Sequence, residues 1–363
     1  MLRALCVADT QFGSFHWKHA AQRDLLKIYN TLKDNHPGYH NSDDPLFRKW
    51  LEEGYAASKE KSSTVCSYVD YISTLRFFLK GFHDGHVGLI DSQAALNIPP
   101  GKKPSRREYA AQKIDSENVL ITLPSFEPQE HEQALLYAMN KDMHQYKNYQ
   151  AIIFDLRGNT GGNSDYGSEI IKGLYGTDYY NQRIAQMHKK SNQYIEWRAS
   201  DDNYAYIQDF EKQLLKEKVS AECMSWITSV RKGVGESVRA GNLLYTEQEL
   251  VDEQLVNGNH QNVVHAQIYI ITDSSCASAC LNFIDELRAM GPVVQIGSTT
   301  GADTDYMEIR KVPLKVTGVQ FCFPIKMYRN RPRKANQPYI PDYPWTEPLN
   351  DVHSIQMMIN SIH

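Results

Sequence analysis

The segment Ala151-Ile152-Ile153-Phe154-Asp155-Leu156 does most to limit what this chain can fold into. It shows no polar–apolar alternation, so as a strand it needs cover on both faces. Val119-Leu120-Ile121-Thr122-Leu123, Gln267-Ile268-Tyr269-Ile270-Ile271 and Pro292-Val293-Val294-Gln295-Ile296 are further strand candidates. Helical patterns lie among them, over His131–Tyr146, Ser164–Leu174 and Ser278–Met290. This alternation of strand and helix predicts an α/β fold with a largely parallel core sheet.

The front of the chain reads differently. His19–Asn35 carries Leu25, Ile28, Tyr29 and Leu32 at helical spacing, and His36-Pro37-Gly38 is its stop. Two more helical patterns run through Phe47, Trp50 and Leu51 and through Val65–Leu79. The expected organisation is an α-helical N-terminal domain over 1–90, a polar linker over 91–118 and an α/β core over 119–363. From about 180 to 264 the rhythm breaks. Tyr204–Lys218 and Ala221–Val238 look like amphipathic helices, so this stretch reads as a helical insertion, either a lid over a cleft or a surface excursion.

Composition narrows the function classes. In 363 residues, 41% hydrophobic and 23% charged is ordinary for a globular protein. A formal net charge of −4 gives no global field for nucleic acid or an anionic membrane. No apolar run reaches the length of a membrane span. The start, Met1 to Ala8, falls short of a secretory signal because Asp9 and Gln11 interrupt it. Cys6, Cys66, Cys223, Cys276, Cys280 and Cys322 fit no zinc or haem spacing and are expected to be buried free thiols.

Three short segments carry chemistry. Ser278 opens a helix after a short polar turn, where backbone N–H groups and the helix dipole favour negative charge. It reads either as a nucleophile between the small residues Ala277 and Ala279 or as a simple N-cap. Gly161-Gly162 follows a buried strand and can present bare N–H groups to an oxyanion, or can merely satisfy a turn. His86, in Asp84-Gly85-His86, is the residue type suited to accept a serine proton near neutral pH. Its other reading is a surface or core histidine, one of 13 in the chain.

In this order the segments resemble the S41 serine peptidases, which include the C-terminal processing peptidases and the tricorn core. The matching stretches are His36-Pro37, Asp84-Gly85-His86, Ile153 to Gly162, Ala277-Ser278-Ala279, Ile296 to Gly301 and Pro341-Asp342. The resemblance implies a crotonase-like, Clp-peptidase-like core behind a helical N-terminal region. It also implies a peptide or unfolded protein as substrate, no metal or organic cofactor, and a periplasmic or secreted location. Whether the chain forms a homo-oligomer is left open.

The family divides by its base. In the Ser–Lys branch a lysine soon follows the segment matched by Ile296–Gly301, and here Asp303 stands in that place. An anion cannot act as a neutral amine base. The tricorn-like branch uses the histidine matched by His86, so the resemblance assigns the chain to the Ser–His branch. The interval from Ile90 to Asn118 is too short for the PDZ module that many members carry. No carboxylate stands just before Pro341-Asp342, where the tricorn-like branch has its orienting glutamate. Asn336 or Gln337 is the candidate for that role.

The expected machinery is therefore Ser278 as nucleophile and His86 as general base, with N–H groups of Ala279 and of Gly161 or Gly162 as the oxyanion hole. Two other outcomes stay open: a non-catalytic module of the same fold that binds apolar ligands or peptides, and a hydrolase for non-peptide esters or amides.

Overall fold

The computed structural model describes residues 14–90, 107–247, 253–349 and 351–362. In chain order the first elements are α1 (Ser14–Asn35), α2 (Pro45–Lys61), α3 (Tyr68–Lys80), β1 (Gly88–Ile90), β2 (Ala110–Lys113) and β3 (Asn118–Thr122). Next come α4 (Glu130–Asp142), β4 (Ala151–Asp155), α5 (Ser164–Tyr175), α6 (Thr177–Ser191), β5 (Tyr194–Arg198), α7 (Asp201–Glu217) and α8 (Ala221–Arg239). The chain continues with β6 (Leu244–Glu247), β7 (Gln267–Thr272), α9 (Ala279–Met290), β8 (Val293–Gly297), β9 (Tyr306–Pro313), β10 (Gln320–Arg329), β11 (Tyr343–Pro344) and α10 (Val352–Ser361).

These elements form two compact units, each assembled from separate stretches of chain. Among the described residues, the first unit draws on those within 1–99, 194–249 and 304–329, and the second on those within 100–193, 250–303 and 330–363. The N-terminal helices therefore do not make a domain by themselves. They bury Leu25, Ile28, Leu75 and Phe78 in one core with Trp197, Ile227 and Val230 and with Phe321, Phe323 and Ile325. The stretch read as one helical insertion is divided between the two units. Its first part, α6, belongs to the second unit, and β5, α7, α8 and β6 supply core to the first. Amphipathic pattern alone could not show which core the apolar face would join.

In the first unit, β10 pairs antiparallel with β9, and also with β1 and β5; β6 extends the sheet beyond β5. The turn between α3 and β1 holds His86. It is fixed at both ends, by the helix before it and by the register Gly88 to Cys322 after it.

The second unit is the α/β part. Its six-stranded sheet has the order β11-β8-β7-β4-β3-β2, parallel except for β2 against β3. The missing alternation in β4 now has its cause. Ile152 and Phe154 join Val119, Ile121, Ile268 and Ile270 in a cluster with α4, α5 and α9. Ile153 joins Leu120, Tyr269 and Ile271 in a second cluster with α10. Each such side chain, fully buried, contributes about 1.5–3 kcal/mol.

Asp155 ends β4 and is 2% exposed. Its carboxylate accepts from Arg157 Nε at 2.9 Å and Nη2 at 2.6 Å, and also from Arg107. Arg157 Nη1 donates to the Leu349 carbonyl at 2.8 Å. The chain thus leaves β4 at a fixed angle. Asp155→Ala is expected to lower stability by about 3 kcal/mol, the low end for breaking a buried pair because both guanidinium groups keep solvent contact. Urea unfolding measures this, and an unshifted midpoint would remove Asp155 from the frame.

Candidate active site

Parallel register sets Asp155 of β4 beside Ile271 of β7, so both strands end level. The two loops that follow are tied together by one side chain. Asp273 Oδ2 accepts the Gly158 N–H at 2.9 Å, and its Oδ1 accepts the Ser275 N–H at 2.9 Å. Asn159, fully buried, donates to the Leu123 carbonyl at 3.0 Å and accepts the Gly161 N–H at 2.9 Å. Sequence reasoning had singled out neither Asp273 nor Asn159.

Ser278 takes up the N-cap position of α9 with φ 55° and ψ −124°. An N-cap serine ordinarily has extended backbone and a hydroxyl bonded to the first helical N–H groups. Here the backbone is not extended and the side chain makes no cap bond. The capping reading therefore fails. A positive φ on a non-glycine residue between a strand and a helix marks a strained turn.

The glycine turn lies against this elbow. A Cβ on Gly161 (φ +96°) would stand 2.9 Å from Ala279 N and 2.8 Å from the Ala277 carbonyl. A Cβ on Gly162 (φ +133°) would stand 2.2 Å from the Phe126 carbonyl. Only glycine fits either place. The structure thus brings Ser278, Ala279, Gly161 and Gly162 together in the second unit. Gly161 gives its N–H to Asn159, whereas those of Ala279 and Gly162 have no acceptor among the described residues.

Cys276 and Cys280 are joined by a disulfide, with Cα atoms 5.4 Å apart, which corrects the expectation of free thiols for this pair. The reversal at Ser278 folds the residue two before it over the residue two after it, at bridging distance. Both half-cystines are fully buried beneath the elbow in the core shared with α5. Cys322, buried in the first unit, is a free thiol.

His86 lies in the first unit. Its backbone N–H donates to Asp84 Oδ1 at 2.8 Å, and its Nδ1 stands 3.4 Å from the same oxygen. The other histidine of the matching stretches, His36, is fully buried, accepts the Gly38 N–H at 2.9 Å and stacks on Phe47. Burial pushes its pKa down to about 3, so it is a neutral structural residue.

Asn336 and Gln337 occupy an exposed turn of the second unit. Asn336 donates its N–H to the Asp303 carbonyl at 2.7 Å, and the Gln337 side chain accepts from Lys334 N at 3.2 Å. The arginines of this stretch are paired with carboxylates of the protein. Arg333 and Arg331 bond Asp303 at 2.6 Å and 3.2 Å, and Arg329 bonds Glu196 at 2.6 Å. Asp342 accepts the Gln295 N–H at 2.7 Å, so Pro341-Asp342 anchors β8.

The family model described as "Peptidase family S41" matches residues 119–343, more than half of the chain. No curated protein matches. Among solved structures, mature CPAF complexed with lactacystin is 10% identical with a TM-score of 0.60, covering 95% of this chain and 98% of its own. A lipoprotein from Streptococcus agalactiae is 15% identical with a TM-score of 0.46, covering 94% and 97%. The photosystem II D1 C-terminal processing protease is 8% identical with a TM-score of 0.41, covering 92% and 95%.

Two measurements probe the elbow. Ser278→Gly should be more stable than Ser278→Ala by about 1 kcal/mol, because glycine removes strain at positive φ that alanine keeps. Equal unfolding midpoints would mean that the backbone there is relaxed. Loss of the bridge, by Cys276→Ala with Cys280→Ala, should lower stability by about 2 kcal/mol from the entropy of a five-residue loop. Wild type treated with dithiothreitol should fall by a similar amount, and insensitivity to both treatments would show that the bridge holds nothing.

Proposed function

The chain belongs to peptidase family S41 and is a serine peptidase; we propose that it cleaves peptides or unfolded protein segments through an acyl-enzyme on Ser278. The observation that carries this is the Ser278 backbone, φ 55° and ψ −124°, at a helix start where the serine side chain makes no cap bond. Evolution tolerates such strain where the fold over-determines it for function.

In this reading Ser278 Oγ attacks the scissile carbonyl. His86 accepts the hydroxyl proton and returns it to the leaving amine. The N–H groups of Ala279 and Gly162 hold the oxyanion. Gly161 acts beside them through its close approach, since its own N–H bonds Asn159. Asn336 or Gln337 is the sequence-level candidate for orienting the imidazole. The second unit is read as a crotonase-like core, and the chain as a member of the tricorn-like Ser–His branch. The pairing of Asp303 with Arg331 and Arg333 supports that branch, because it puts a neutralised carboxylate where the other branch has a lysine. The disulfide beneath the elbow suits an oxidising, extracytoplasmic setting.

A fluorophosphonate probe tests the reading. Wild type should label at Ser278, Ser278→Ala should not label, and His86→Ala should label at least 10²-fold more slowly. Digestion of a peptide library by wild type and Ser278→Ala then separates peptide from non-peptide substrates. A wild-type protein that neither labels nor cleaves would turn the assignment toward a binding module of the same fold.

A further inference from the structure

We infer that Asp84 is the positioning residue for His86, supplying the carboxylate absent from the segment before Pro341-Asp342. This rests on the proposed role of His86 as base.

The argument starts from spacing. An aspartate two residues before another residue folds its side chain back onto that residue's backbone N–H. Asp84 does this to His86, Oδ1 accepting the N–H at 2.8 Å. The same turn sets His86 Nδ1 3.4 Å from Oδ1. That separation is long for a hydrogen bond and within ion-pair range, as catalytic contacts often are before substrate binds. The Asp84 side chain is 1% exposed and the His86 side chain 11%. The second Asp84 oxygen, Oδ2, is buried with no hydrogen-bond partner among the described residues. A buried carboxylate with an unsatisfied oxygen is costly unless a positive charge is available to it.

Two groups that feel the charge of Asp84 carry none of their own. Tyr306 of β9 and Cys322 of β10 feel its negative charge, and burial holds the pKa of each above its ordinary value. Both are therefore neutral near pH 7. A protonated His86 is the cation that Asp84 is placed to receive. With Nδ1 turned to the carboxylate, the proton of the neutral ring is held on Nδ1. The lone pair is then on Nε2, the nitrogen that must accept a hydroxyl proton. When it does so, the new positive charge forms beside a buried anion.

By contrast, Gln337 already accepts from Lys334 N and Asn336 is exposed in its own turn. A neutral amide stabilises an imidazolium less than a carboxylate does, so Asp84 is the stronger partner on chemical grounds as well.

Asp84→Asn separates this role from a structural one. The amide oxygen can still accept the His86 N–H, so the turn is kept while the charge is lost. The rate constant for fluorophosphonate labelling of Ser278 should fall by about 10²–10⁴-fold. The acid limb of its pH profile should also move to lower pH by about one unit, because removing the anion lowers the imidazole pKa. Asp84→Glu should recover part of the rate. If wild type labels, and Asp84→Asn labels at the same rate or loses rate with an unmoved acid limb, the inference is overturned and the peptidase reading stands. If wild type itself does not label, both fall together.

Discussion

Level strand ends at the carboxyl edge of a parallel sheet are the constraint from which the rest of the second unit follows. With Asp155 paired to Ile271, the loops after β4 and β7 start side by side. Asp273 then needs only one carboxylate to hold both, through the N–H groups of Gly158 and Ser275. Two glycines allow the backbones to touch, and the elbow at Ser278 rises where they meet. In open parallel sheets such strand ends are where ligands and reactive groups collect. Strain at Ser278 survives because the flanking disulfide, the Asp273 clamp and the packing of Gly161 leave the chain no relaxed alternative.

Much of this unit was legible in the sequence because its signals are local. The run Ala151–Leu156 predicted a doubly covered strand, and β4 occupies Ala151–Asp155 between two apolar clusters. The helical patterns from Ser164 and from Ser278 became α5 and α9, and the stop at His36-Pro37 coincides with the end of α1. The first unit was far less legible. Its sheet joins β1, β5, β6, β9 and β10 from three distant stretches, and antiparallel partners so far apart leave no periodic trace in one sequence. The two sides of Trp197 illustrate this. Its indole N–H bonds Glu247 at 2.6 Å, the carboxylate that also receives the Trp226 N–H at 2.8 Å. None of those spacings announces a contact.

One signal was present and unused. Asp84, Asp155, Asn159 and Asp273 each accept the backbone N–H of the residue two positions later. An Asp or Asn two residues ahead of a critical position is a turn with a mechanism. Here it marks four such loops: the His86 turn, the exit from β4, the glycine turn and the entry to the elbow. The disulfide had no comparable signal. Cysteines four apart are within reach of each other in many conformations, and only the reversal at Ser278 selects the bridged one.

Asp303 shows why one substituted position cannot be read apart from its neighbours. It is 4% exposed and lies among Arg331, Arg333 and, through Arg333, Asp285. Tyr339 donates to Asp285, and Arg288 packs over the Tyr339 ring at 4.5 Å. Burial pushes the Asp285 carboxyl upward and the neighbouring guanidinium groups oppose it. A lysine at 303 would face two guanidinium groups in place of the anion that neutralises them, and removing one partner from such a cluster costs about 3–5 kcal/mol. The aspartate is therefore part of a settled ion cluster that fixes the 330–340 turn. In this chain a lysine at 303 would need the arginines to change as well.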